Sequence, residues 1–245
     1  MVYIQKKKDI LWGGATASSQ YEGGYDLDGK GLDTQDCRPY LKRTSDATTA
    51  TRLLTQEVID EAKKCQGIGN YPFRKGSDGY HHIDEDIALL KELGIDIYRF
   101  SISWARLYPQ GDELEPNKEG IAFYDHIFKE VHKAGMKIFL TMNHYAVPLY
   151  LVENYGGWTN RKLVTFYERF AKTVFEHWGQ YIDYFLPFNE INAGYFSPYN
   201  GVGLVKEKDQ PYNQSLVFQS LHHQFIASAK TIKIARKLSP KSQSG

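Results

Sequence analysis

Cysteine is nearly missing from this chain. Its 245 residues hold two, Cys37 and Cys65, far apart and with no His or Cys at metal-ligand spacing, so neither a disulfide framework nor a zinc site is expected. Free thiols fit a reducing compartment, and the expected location is cytoplasmic. A charge imbalance is missing too: 30 basic residues face 29 acidic ones for a net +1, which excludes the basic footprint of a nucleic-acid or membrane-surface binder. No stretch approaches the ~20 apolar residues of a membrane span. Lys6-Lys7-Lys8 leads only into Asp9-Ile10-Leu11-Trp12-Gly13-Gly14, too short and broken for the apolar region of a signal peptide. No glycine-rich phosphate loop follows a strand, which argues against a small doubly wound domain.

Hydrophobic and aromatic residues are plentiful, at 42% and 14%, enough for a sizeable core. A first strand over 10–16 is followed by about sixty residues without periodic structure. The stretch over 40–79 reads as one long loop insertion with a short helix near 57–64; above a barrel, such a loop forms the rim of the site. Regularity then sets in. A helix from about residue 80 carries Ile83, Ile87 and Leu90 on one face and stops at Gly94. Strands are expected over 95–104, 136–143 and 182–188, and helices over 118–134, from Asn160 through Val174, and over 213–238. Arg99, His144 and Glu190, on three consecutive strands, are 45 and then 46 residues apart. That near-constant step is the beat of βα units.

Tyr184-Phe185-Leu186-Pro187-Phe188 reads as a strand covered on both faces, and it ends on Asn189-Glu190. In a parallel barrel the C-terminal ends of the strands open onto the ligand site. An Asn-Glu pair in isolation more often just begins a loop, and the surrounding motifs are what single out Glu190.

Phe188-Asn189-Glu190-Ile191-Asn192 resembles the acid/base signature of the family-one glycoside hydrolases, retaining β-glycosidases on a (β/α)8 barrel. The run from Leu11 through Gly14 to Gln20-Tyr21-Glu22-Gly23 is similar to that family's N-terminal signature. Tyr98-Arg99-Phe100-Ser101-Ile102-Ser103-Trp104-Ala105-Arg106 and Gly156-Gly157-Trp158 add two further motifs in the right order. The resemblance implies an α/β fold of the TIM-barrel type, with this chain supplying roughly the first four βα units, a half-barrel over residues 1–245. It implies that Glu190 is the catalytic acid/base and that Gln20, His144 and Asn189 bind sugar hydroxyls. It also implies that Arg99 supports the site beside a nucleophilic Glu from a later strand, for which no Glu-Asn-Gly motif occurs here. From its apolar neighbours alone, Arg99 needs a buried partner, an ion pair being the bland expectation.

Two details are like the 6-phospho-β-glucosidases: Ile191-Asn192 after Glu190, where plain β-glucosidases usually have Pro next, and Tyr145 after His144, where they often have Trp. Ala146 stands where an acidic residue is common. The implied reaction is hydrolysis of β-glycosides, the 6-phosphorylated ones favoured, with no metal and no cofactor. Its partners would be the glycoside and either a C-terminal half-barrel or a second copy. The competing reading is a half-barrel that binds carbohydrate or another protein without catalysis.

Overall fold

A computed structural model describes residues 10–41 and 54–245; Lys6-Lys7-Lys8 and part of the long insertion lie outside the described residues. The elements in chain order are β1 (Gly13–Ala15), α1 (Ser18–Tyr21), α2 (Gln56–Lys64), α3 (Gly79–Leu93), β2 (Ile97–Ser101), α4 (Trp104–Leu107) and α5 (Lys118–Lys133). There follow β3 (Lys137–Asn143), α6 (Leu149–Tyr155), α7 (Lys162–Trp178), β4 (Ile182–Phe188), α8 (Ala193–Phe196), α9 (Pro198–Val202), α10 (Gln214–Leu238) and β5 (Gln243–Ser244). The strands form one sheet in the order β1-β2-β3-β4-β5, every pair parallel. Strands in sequence order with helices between them are successive right-handed βα units, the architecture of a (β/α)8 barrel.

The sheet is built by alternation. Tyr98, Phe100, Ile138, Leu140 and Phe185 are buried, in one core with residues of α5 and α7 such as Phe128 and Phe175. Arg99 pairs in register with Phe139, and Phe139 with Tyr184; these half-buried side chains share the other face of the sheet. Helix ends follow local chemistry. Gly94 caps α3 at φ 71°, its N–H returning to Leu90 and Lys91, a left-handed position that favours glycine. Asn213 caps α10 by accepting from the Ser215 N–H at 3.0 Å.

The structure corrects several sequence expectations. The strand over 10–16 shrinks to β1, since Ile10, Leu11 and Trp12 are exposed. Gly13 is required there, because a Cβ would stand 2.3 Å from the Ile97 carbonyl oxygen. The strand over 95–104 ends at Ser101, and the chain then curls into α4 to bury Trp104 and Arg106. Beyond the four expected strands lies a fifth, β5, pairing Gln243 with Tyr184 and Ser244 with Phe185. One expectation holds in the described part of the long insertion, where the short helix near 57–64 is α2; a 3-10 turn over Pro72–Arg74 follows it.

Under the site end of the sheet sits an aromatic cluster. Phe188 stacks on Tyr167 with centroids 4.6 Å apart and meets Trp158 edge-on at 5.4 Å, while Trp104 contacts Trp158, Tyr167 and Phe170. The tryptophans of two sequence motifs thus converge on the last residue of β4, fixing where Asn189 and Glu190 emerge.

Candidate active site

Gln20, His144, Asn189 and Glu190 follow the C-terminal ends of β1, β3 and β4, while Arg99 lies within β2. Gln20 lies in α1 just after β1, held there by Thr16 N–H to Arg99 carbonyl at 2.9 Å and Ser18 N–H to Ser101 Oγ at 2.7 Å. His144 follows β3, and Asn189 and Glu190 follow β4. The two strand ends are tied together where the Asn189 N–H donates to the Asn143 carbonyl at 2.9 Å.

Gln20 and Glu190 face one cleft of about 410 Å³, together with Gln35, Arg38, Phe73 and Tyr145. A larger depression of about 740 Å³ lies at the other end of the sheet, around Lys137, Tyr181 and Asp183. Lys137 opens β3 and Asp183 is the second residue of β4, so it sits at the N-terminal face. That face carries stability rather than chemistry in barrel enzymes, and we place the site in the smaller cleft.

Arg99 donates from Nε to Thr141 Oγ1 at 2.9 Å and from Nη2 to Asn189 Oδ1 at 2.7 Å. Among the described residues no carboxylate pairs with it, so the ion pair expected from its apolar neighbours is replaced by neutral acceptors. This fixes the amide: with Oδ1 engaged by Arg99, the Asn189 NH2 is left as its donor side.

His144 is half-buried with its ring 4.9 Å from that of Tyr145. Burial pushes its imidazole down to about 4; the Arg99 charge adds to this and Glu190 opposes it. A neutral ring at ordinary pH both donates and accepts, as a sugar hydroxyl requires. Glu190 is exposed at the cleft rim, and the Tyr145 hydroxyl donates to its Oε2. Burial first, then this hydrogen bond and the Glu190 charge, push the Tyr145 phenol upward.

The sequence reading missed three features. Tyr145 as the partner of Glu190 is one. The second is a buried ion pair, Arg106 Nε to Glu22 Oε2 at 3.2 Å, with Tyr124 donating to Glu22 at 2.7 Å. The third is a buried cluster of Lys30 with Asp36 at 2.6 Å and Asp33 at 3.3 Å. Charged residues inside otherwise apolar motifs, as Glu22 and Arg106 are, were the available signal. Among the described residues no group of three or more His, Cys, Asp or Glu could hold a metal ion, and no helix is long and apolar enough to cross a membrane.

Comparison with known proteins identifies the family. The family described as Glycosyl hydrolase family 1 matches residues 3–245. The 6-phospho-beta-glucosidase AscB of Escherichia coli is 41% identical over 238 residues, covering 97% of this chain and 48% of AscB. The aryl-phospho-beta-D-glucosidase BglH of Bacillus subtilis is also 41% identical, with 96% of this chain and 46% of BglH covered. The β-glucosidase of Thermotoga maritima, solved in complex with glucoimidazole, superposes with a TM-score of 0.76 at 25% identity, over 98% of this chain and 48% of that one. The chain spans about half the length of the curated relatives it matches.

Proposed function

This chain belongs to glycosyl hydrolase family 1, and we propose that it supplies the acid/base half of a retaining β-glycosidase site acting on 6-phospho-β-glucosides. The observation that carries the reading is Glu190 at the end of β4, in one cleft with Gln20, next to an Asn189 whose amide oxygen is held by Arg99. A retaining mechanism needs two carboxyl groups on opposite sides of the glycosidic bond. In this reading Glu190, protonated, gives its proton to the glycosidic oxygen as the bond to the anomeric carbon breaks, and the sugar is taken up by a carboxylate from outside these 245 residues. Glu190, now ionised, then takes a proton from the water that frees the sugar. Asn189 would hold the 2-hydroxyl, whose hydrogen bonds strengthen in the transition state, with Gln20 and neutral His144 holding other hydroxyls. The reading calls for no metal and no organic cofactor.

The preference for 6-phosphates is supported by Tyr145 and by Ile191-Asn192, and by the activities named for AscB and BglH. Cytoplasmic placement is supported by two free thiols, one of them buried. Among the described residues β1 pairs only with β2, and its other edge, beside exposed Ile10, Leu11 and Trp12, supports pairing with further strands: those of a C-terminal half-barrel or, without one, of a second copy. Sedimentation of the isolated chain should show association; a monodisperse monomer would contradict it.

The substrate reading is tested by assembling the purified chain with the C-terminal half of AscB and supplying nitrophenyl β-glucoside, β-galactoside and their 6-phosphates. Neither half alone should turn over, and the pair should prefer the glucoside 6-phosphate. Equal or better turnover of the plain glucoside would overturn the phosphate preference. A stable pair without any turnover would favour a carbohydrate-binding role.

A further inference from the structure

Tyr145 and Glu190 lie 45 residues apart, yet the Tyr145 hydroxyl donates to Glu190 Oε2. Both have left-handed backbones, with φ of 69° at Tyr145 and 38° at Glu190. For residues other than glycine such a conformation is strained and persists only where the surroundings impose it. At Tyr145 those surroundings are visible. Its carbonyl accepts from Thr34 Oγ1 at 3.1 Å and from Gln35 Nε2 at 3.3 Å. Thr34 Oγ1 accepts in turn from the Val147 N–H at 3.2 Å, and Thr34's own carbonyl accepts from the Tyr199 hydroxyl at 2.9 Å. Asp33 closes the turn by accepting from the Gln35 N–H at 2.8 Å, and buried Lys30 neutralises Asp36 beneath it. On the other side, the Glu190 carbonyl accepts from the Ala193 N–H at 2.7 Å.

Resting on the reading of Glu190 as acid/base, we propose that Tyr145 is a positioning residue for the Glu190 carboxyl, held in its left-handed backbone by Thr34 and Gln35. The hydroxyl engages Oε2 and leaves Oε1 to carry the proton. One arrangement serves both half-reactions: Tyr145 donates to the carbonyl oxygen of the protonated acid and to the same oxygen of the carboxylate. Proton delivery then depends on Tyr145 in proportion to how much the leaving group needs a proton. A merely structural tyrosine would affect every substrate alike.

Two measurements separate this proposal from the function it rests on. In the 245-residue chain with Cζ-labelled tyrosine, the Tyr145 signal should move as acidification protonates the carboxylate, and that movement should vanish in Glu190→Gln. Any movement caused by the neighbouring His144 would survive Glu190→Gln and disappear in His144→Gln. An identical pH course for Tyr145 in wild type and Glu190→Gln would overturn the proposal, whether or not the chain supports hydrolysis. In the assembled pair, Tyr145→Phe, which keeps the ring, should lower kcat/KM, which reports the first step, about tenfold for an alkyl glycoside, a small part of what acid/base catalysis supplies. For a dinitrophenyl glycoside, whose leaving group departs without a proton, the loss in kcat/KM should be under twofold. Thr34→Val should show the same selectivity in weaker form. Equal losses on both substrates would reduce Tyr145 to a structural role, and failure of the wild-type pair to turn over would count against the proposed function alone.

Discussion

Arg99 Nη2 lies 2.7 Å from Asn189 Oδ1, a contact that orients the amide proposed to hold the sugar. Asn189→Asp keeps an acceptor for Arg99, now charged, but loses both donors. Stability should be unchanged or slightly raised, since Arg-carboxylate bonds are stronger than neutral ones. Turnover by the assembled pair should fall on the order of a hundredfold, mostly in kcat, because the 2-hydroxyl contact strengthens in the transition state. Urea denaturation and steady-state kinetics of the variant check the two halves of this expectation.

His144 should make stability depend on pH. The folded imidazole titrates near 4 and an unfolded one near 6.5. Between those values the unfolded chain binds more protons, so stability falls as pH is lowered from about 6.5 to 4. The interval corresponds to at most about 3 kcal/mol, and solvent reaching a half-buried ring reduces this to about 1–2 kcal/mol. Asp36, pushed up to about 6 by burial and by Asp33 against the pull of Lys30, acts in the opposite sense, stabilising at low pH and losing that contribution as pH rises toward 6. Wild type and His144→Gln should therefore be compared across pH 4–7: the variant should lose less stability on acidification.

The Glu22–Arg106 pair is buried on both sides. Burial pushes the Glu22 carboxyl upward against the pull of Arg106 and Tyr124. Arg106→Met would leave that carboxyl without its counter-ion, at a cost of about 3–5 kcal/mol. Adding Glu22→Gln removes the orphaned charge and should recover part of the loss. Denaturation midpoints of the two single variants and the double variant test this; a double variant less stable than Arg106→Met would contradict it.

Much of this was readable from residue order, and the failures have physical causes. The steps from Arg99 to His144 to Glu190 located three successive strands, because βα units repeat at similar length. Gly94 and Asn213 marked helix ends, since their roles depend only on local backbone chemistry. By contrast β5 consists of Gln243 and Ser244, whose pairing rests on backbone groups and leaves no hydrophobic signature. Lys30, Asp33 and Asp36 stand in a polar stretch without periodicity, and only the fold shows them buried together. Arg99 was expected to need a counter-ion because its sequence neighbours are apolar, whereas its true neighbours, Thr141 and Asn189, come from the two following strands. Tyr145 was legible as a departure from a family pattern but not as the partner of Glu190, a contact through space.

The role of Glu190 is tested most directly by removing its carboxyl in the assembled pair and supplying azide in its place. With Glu190→Ala and a dinitrophenyl β-glucoside 6-phosphate, the first step needs no acid, and the glycosyl-enzyme should accumulate because no base activates water. Azide, which needs no base, should attack that intermediate from the face Glu190 occupied, restoring turnover and releasing a glycosyl azide of β configuration. Undiminished hydrolysis without azide, no rescue, or an azide product of α configuration would contradict Glu190 as the acid/base of a retaining site.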